Sequence, residues 1–239
     1  SKILETEMTS ISKIGLACAA LLAASGAFAQ KAGDNIVSVG LASINTNTDV
    51  GPLTNSGAYT PLLVGSTANI SSETTVSFGW LHMYTDNIGG EFTLGLPPTV
   101  TQDLMTPNGG ALGTSHPGAA QIDIWTPTAI AKYFFGTSKD QWRPYVGIGA
   151  SYVSFHNINT KQTADVKALA GTSAALSSTW APVYNAGLIY NIDDKWSINA
   201  SVSYLPIKTT ATFVGSGAVT TGDAKLNTTD YVIRLGYRY

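Results

Sequence analysis

The chain ends Tyr231-Val232-Ile233-Arg234-Leu235-Gly236-Tyr237-Arg238-Tyr239. Odd positions carry aromatic or aliphatic side chains. Even positions include two arginines and a glycine. A period of two describes a strand with one apolar and one polar face. The polar face is cationic, and the last residue is aromatic. That pairing suits a strand with lipid on one side and a polar lumen on the other. An edge strand of a soluble sandwich remains the competing reading, and the rest of the chain has to decide.

The N-terminus reads as a targeting segment. Residues 1–7 lie upstream of Met8. Lys13 precedes the apolar run Ile14 to Ala24, and Ala27-Phe28-Ala29 has the small-x-small form of a cleavage site. A signal peptide is expected over residues 8–29, with one domain over 30–239. The run is too short for a span of about 20 residues. Cys18, the single cysteine, would leave with the signal, which excludes disulfides in the mature chain. Charged residues are only 12% of the total, about half the usual share for a soluble domain. The net charge of -2 supplies no basic field for nucleic acid.

Alternating segments recur along the remainder. Val37, Val39 and Leu41 oppose Ser38 and Gly40. Val76, Phe78 and Trp80 oppose Thr75, Ser77 and Gly79. Phe92, Leu94 and Leu96 oppose Glu91, Thr93 and Gly95. Further strands are expected over 122–135, 143–155, 184–192 and 196–204, and the C-terminal one makes eight. Long polar connections, at 45–57, 98–121, 156–178 and about 214–223, alternate with tight turns such as Thr85 to Gly90 and Asp193-Asp194-Lys195. Residues 165–169 within one long connection suit a short helix. This rhythm predicts an all-β fold: an eight-stranded antiparallel transmembrane β-barrel with long extracellular loops and short periplasmic turns. A sandwich would also show short strands, but needs neither an apolar face on every strand nor regular long and short connections. The location implied is the outer membrane of a Gram-negative bacterium.

Several ordered motifs then carry a resemblance. Thr85-Asp86-Asn87-Ile88-Gly89 is followed by Glu91 and Pro97. Tyr133-Phe134-Phe135-Gly136, Arg143-Pro144-Tyr145-Val146-Gly147-x-Gly149 and the closing Gly236-Tyr237-Arg238-Tyr239 come after it. Together these resemble the OmpW family of outer-membrane proteins across the whole mature chain. Relatives usually end in Phe where this chain has Tyr239. The resemblance implies an eight-stranded barrel that passes small hydrophobic molecules through an apolar pocket and a lateral opening in the wall.

Eight strands leave a lumen that side chains can fill, so a wide pore is excluded. Pro97 and Pro98 sit where a membrane strand should still pair, and proline cannot donate to a ladder. The resemblance places a lateral gate at such a proline; the competing reading is that the strand simply ends there. Thr93 shares the lumen face of that strand with Glu91. Relatives tend to carry an apolar residue at the Thr93 position, as part of a pocket floor. Trp180 corresponds to a family tryptophan at the pocket mouth, although its parity with Tyr184 and Leu188 points outward unless Pro182 introduces a bulge. Parity turns Lys132 inward. Glu91, Lys132, Arg234 and Arg238 are therefore expected to form a charge network inside the lumen, since buried charges must be paired.

The function expected is a conduit for passive uptake of small hydrophobic solutes. The alternative is a structural or receptor barrel whose loops meet host, phage or toxin. The expected partners are outer-membrane lipid and lipopolysaccharide, small hydrophobic solutes, and the barrel-assembly machinery, reached through the C-terminal strand. Catalysis is not expected: Ser115-His116 lies in a Gly/Pro-rich stretch, poor scaffolding for a catalytic pair. His82, His116 and His156 lack metal-ligand spacing, and no cofactor is implied.

Overall fold

The computed structural model describes residues 30–215 and 218–239. The signal segment expected at 8–29 lies outside the described residues. Among these residues thirteen strands, β1 Asn35–Val50, β2 Thr54–Asn55, β3 Thr67–Ile70, β4 Glu73–Met83, β5 Ile88–Gly95, β6 Thr99–Met105, β7 Ser115–Trp125, β8 Thr128–Phe134, β9 Trp142–Thr160, β10 Ser173–Leu176, β11 Thr179–Asn191, β12 Trp196–Gly215 and β13 Ala218–Arg238, make up the fold. Among the described residues two short α-helices, α1 Thr60–Leu63 and α2 Ala164–Ala170, and a 3-10 turn at Gly110–Leu112 lie in the connections.

Apart from the two-residue β2, these pieces join end to end into eight staves. β1, β9, β12 and β13 are each one stave. β3 continues into β4, β5 into β6, β7 into β8 and β10 into β11. All neighbouring staves are antiparallel. β13 pairs with β1 from Ile36↔Arg238 to Val50↔Ala224, which closes the ring. Closure matters because hydrocarbon offers no partner to an open sheet edge.

The alternating residues sort by face. Val37, Val39, Leu41, Ile233 and Leu235 lie exposed on the outside, where lipid covers them. Outside aromatics stack in pairs near the short-turn end: Trp142 on Tyr190 at 4.4 Å, Trp196 on Tyr237 at 5.0 Å, and Tyr133 on Phe135 at 5.2 Å. They form the lower half of the aromatic girdle that anchors such barrels at the interface.

The tight turns are built from their own side chains. Thr85 Oγ1 accepts from the backbone N–H of Asn87 and Ile88. Asp193 Oδ1 accepts from the N–H of Lys195 and Trp196, both at 2.7 Å. These are short-range polar turns of the kind Asp and Thr favour.

The opposite end differs from the expected loops. Much of 98–121 is strand, as β6 and β7. β9 runs on to Thr160, and β12 and β13 meet across two residues instead of a loop of ten. Beyond the membrane the outward face meets water and the inward positions include Thr220, Gly222 and Ala224, so the contrast between apolar and polar faces fades while the ladder continues. That is why Thr220, Thr221 and Asp223 did not read as strand. The helix expected at 165–169 is α2.

Gly40 shows how tightly the ring closes. A Cβ there would run into the carbonyl oxygen of Ile233 and the Cα of Arg234. Gly40→Val should therefore destabilise the closed barrel by about 2 kcal/mol or more, as overpacking does, whereas Val39→Ile on the lipid face should be nearly silent. Urea midpoints of tryptophan fluorescence in lipid bilayers measure both; equal midpoints would refute the account.

Candidate functional site

The lumen is built from inward-facing residues of all eight staves. Near the periplasmic end the fully buried Arg143 forms a floor. Its guanidinium donates to the carbonyls of Gln30 at 2.6 Å, Asp86 at 2.7 Å and Phe135 at 3.3 Å. It also lies over the Phe134 ring. Gln30 Nε2 donates to Asn191 Oδ1 at 2.8 Å, which also accepts from Arg238 Nη2 at 3.2 Å. Arg238 is paired with Asp34 at 3.3 Å.

Above the floor sits a second plug. Glu91, 5% exposed, takes Lys132 on one carboxylate oxygen and Arg234 on the other. Ser77 Oγ accepts from Arg234 Nε at 3.1 Å and Nη2 at 2.9 Å. The Lys132 ammonium lies 4.3 Å from the centre of the Tyr145 ring, a cation–π contact. Tyr145 in turn donates to Asn199 Oδ1 at 2.8 Å. Buried charges of this kind are tolerated only when paired and hydrogen-bonded. Gly79 makes room for the cluster: a Cβ there would press on Ser38 Oγ, Arg234 Nη1 and Glu91 Oε1 at 2.6 to 2.9 Å.

Three cavities follow one another in the lumen above the floor. The outermost is lined chiefly by apolar side chains such as Leu53, Leu63, Leu104, Leu169, Phe213 and Leu226. The middle one meets Leu226, Val100, Val153 and Phe155. The lowest reaches Glu91, Lys132 and Arg234. The middle and lowest share Ile44, Pro98, Ile124, Thr126, Leu205 and Asp230.

At that shared level the wall is interrupted. The β5–β8 ladder runs from Ile88↔Tyr133 to Thr93↔Thr128 and stops. Pairing between the same two staves resumes at Thr99↔Asp123, just above an Ile124 N–H bond to the Pro98 carbonyl. Between these points no ladder pair joins residues 94–97 to β7 or β8. On its other side the stave stays tied, with the Leu96 N–H on the Val76 carbonyl. By alternation the amide of residue 97 would face the gap. Proline has no N–H, and Pro127 stands opposite, so the interruption leaves fewer orphan donors in lipid.

The residues singled out in the sequence divide accordingly. The structure brings Glu91, Lys132 and Arg234 together, and places Arg238 apart from them, on Asp34. Pro98 and Thr93 line the lowest cavity, with Pro97 beside them in the gap. Trp180 lies elsewhere. It is 69% exposed on the outer wall and packs on Tyr152 at 5.2 Å. The bulge considered at Pro182 is absent: β11 pairs with β9 in unbroken register from Thr179↔Val153 to Tyr190↔Trp142. Parity alone therefore carries Trp180 outward. Arg143 and Asp230 were overlooked, although each shares the inward parity of its strand.

A separate polar tie lies among the outer connections. Buried His116 accepts or donates with Thr106 Oγ1 through Nε2 at 2.8 Å, and its Nδ1 lies 2.7 Å from Asp165 Oδ2 at the start of α2. The carboxylate can only accept, so Nδ1 carries the proton. Thr106 is fully buried and bonds the Gly113 carbonyl, so the trio joins two loops and offers no exposed nucleophile. Hydrogen bonds from Thr163 and then His116 hold the Asp165 carboxyl well below the usual range.

A sequence profile of the OmpW family matches residues 31–239. The chain belongs to the OmpW family. It is an outer-membrane β-barrel of the Gram-negative type. Outer membrane protein W of Vibrio cholerae serotype O1 is 31% identical over 230 residues, covering 94% of this chain and 97% of that one. Outer membrane protein AlkL of Ectopseudomonas oleovorans is 25% identical over 213 residues, covering 87% and 82%. The crystal structure of OprG from Pseudomonas aeruginosa superimposes with a TM-score of 0.76 at 25% identity, covering 88% of this chain and 98% of that one. The eight-stave ring and its short periplasmic turns are thus the OmpW-family architecture.

Two outcomes follow from the polar clusters. Glu91→Ala leaves Lys132 and Arg234 facing each other and should cost about 3–5 kcal/mol. Lys132→Met keeps the Glu91–Arg234 pair and should cost less; equal losses in urea midpoints in bilayers would contradict the arrangement. For the loop tie, the folded carboxyl titrates below its unfolded value. The stabilisation is therefore complete above about pH 4 and fades only as pH falls well beneath that. Asp165→Asn should raise trypsin nicking at Lys161 and Lys167 about twofold to fivefold at neutral pH, a modest effect because the pair is partly exposed. Wild-type loops should resist pepsin until the lowest pH reached.

Proposed function

We propose that this barrel is a conduit for passive uptake of small hydrophobic molecules. A solute enters the outermost apolar cavity, descends past Leu226 to the middle one, and leaves sideways through the wall at residues 94–98. The observation that carries the reading is where the space ends. The cavities lead to the ladder interruption at Pro98 and Thr126, while the route straight down meets Glu91, Lys132 and Arg234 and then the Arg143 floor. An apolar solute gains nothing by entering that charged belt, whereas lipid keeps its surface out of water, which is worth about 25 cal/mol per Å² relative to the outside solution. Pro97, Pro98 and Thr93 are the residues of the gate; Glu91, Lys132 and Arg234 turn the solute aside. The same reading gives the closing strand, with Tyr239 exposed at its end, to recognition by the assembly machinery, and the outward face to lipid and lipopolysaccharide.

The test is uptake of a labelled apolar solute by liposomes holding wild type, the Pro97→Val/Pro98→Val double variant, or no protein. Restored N–H donors let the ladder zip across the gap. Uptake should fall by about tenfold or more, the effect of about 1.4 kcal/mol on a barrier. Wild-type uptake no faster than in empty liposomes would sink the conduit, and full activity in the double variant would move the exit elsewhere.

A further inference from the structure

Asp230 is a lumen carboxylate that the polar plugs do not use. It lies on β13 with the inward parity of Arg234, between Ile44 of β1 and Ser203 of β12 in the ladders. It lines both the middle and the lowest cavity. Its Oδ1 is shut off from solvent and accepts no hydrogen bond among the described residues. The nearby cations and the Asn185 amide are engaged. Arg234 is held by Glu91 and Ser77, and stands four residues along the strand, roughly 13 Å away. Lys132 is on Glu91, and the Asn185 amide donates to Ser203 Oγ and the Val202 carbonyl. Ser203 Oγ accepts there and makes no hydrogen bond to Asp230.

A buried carboxylate oxygen without a donor is costly and calls for an explanation. The surroundings supply one. Above Asp230 the lumen is apolar, with Val153, Phe155, Ile207 and Leu226 around the middle cavity. At its own level the wall is interrupted. That space fits a molecule with an aliphatic tail and one hydrogen-bond-donating head.

We propose that Asp230 is the head-group site of this route, and that it selects amphiphiles ending in an amine over those ending in a carboxylate. The ammonium head makes a charge-assisted hydrogen bond to the Asp230 carboxylate while the tail lies in the middle cavity. An anionic head of the same size offers the carboxylate no donor and disfavours its ionisation. This deepens the conduit reading and rests on it for physiological meaning, but binding is measured without transport, so the two can fail separately.

The probes are n-octylamine and n-octanoate, equal in chain length, titrated against the full barrel in lipid nanodiscs with methyl-labelled Ile and Leu. Ile44, Ile124 and Leu205 line the shared level and should shift. Octylamine should bind about tenfold tighter than octanoate, the factor that one charge-assisted hydrogen bond supplies. Asp230→Asn, nearly isosteric, should abolish that preference, and Asp230→Glu should keep part of it; heat-modifiable gel mobility checks that each variant is folded. Equal binding of the two probes by wild type, which a merely hydrated carboxylate would give, overturns the proposal. So does a preference that survives in Asp230→Asn. Amine binding at these methyls without any uptake would leave this site standing and remove the conduit.

Discussion

A strand in hydrocarbon must find a partner for every backbone N–H, and this molecule is organised by that demand. Pairing of β13 with β1 over fifteen consecutive residue pairs closes the ring and removes the edge that lipid cannot solvate. Gly40 and Gly79 are small because closure brings backbone and arginine against them. The β5–β8 ladder is lost where prolines stand on both sides, and the β11–β12 ladder lapses likewise between Tyr184↔Tyr204 and Leu176↔Ala211, with Pro182 on one stave and Pro206 on the other. Pro97, Pro98 and Pro127 have no donors to leave unpaired, so an interruption that would be expensive elsewhere is tolerable there.

Closure with only eight staves makes the lumen narrow, and narrowness decides its chemistry. Inward side chains from different staves come within bonding distance, so Glu91 on β5 meets Lys132 on the adjoining β8 and Arg234 on β13, three staves away. A wide barrel would have left those groups in water. Here they are nearly dry, and they hold one another across the bore. Above them the same narrowness brings aliphatic walls together into apolar cavities. One lumen thus changes polarity along its length, and the change falls at the level of the wall interruption. Asp230 stands at that boundary, which is why its unpaired state differs in meaning from that of a surface carboxylate.

The outer half of the molecule obeys a different solvent. Once the outward face of a strand is wet, lipid no longer selects apolar side chains there, yet hydrogen-bonded pairing continues between β6 and β7 and between β12 and β13. The connections there are held by side-chain bonds such as Thr106–His116–Asp165 instead of by burial in lipid. This is why the membrane strands were legible at their lower ends and were underestimated at their upper ends.

Period-two patterning in one chain, read from Tyr239 backwards, was enough to specify strands, their faces, their number and the hydrocarbon on the outside, because each of these follows from neighbours along the sequence. It also assigned Glu91, Lys132 and Arg234 to the lumen, by parity alone. Parity was equally right for Trp180, whose unbroken register carries it to the outer wall, and it was available for Arg143 and Asp230. Which lumen charges meet was decided only by the tertiary structure. Arg238 finds Asp34, and Arg234 finds Glu91, through the stagger of staves far apart in sequence. The same stagger set the level at which the cavities, the interrupted ladder and the unpaired Asp230 coincide, since register across a closed ring is a property of all eight staves at once.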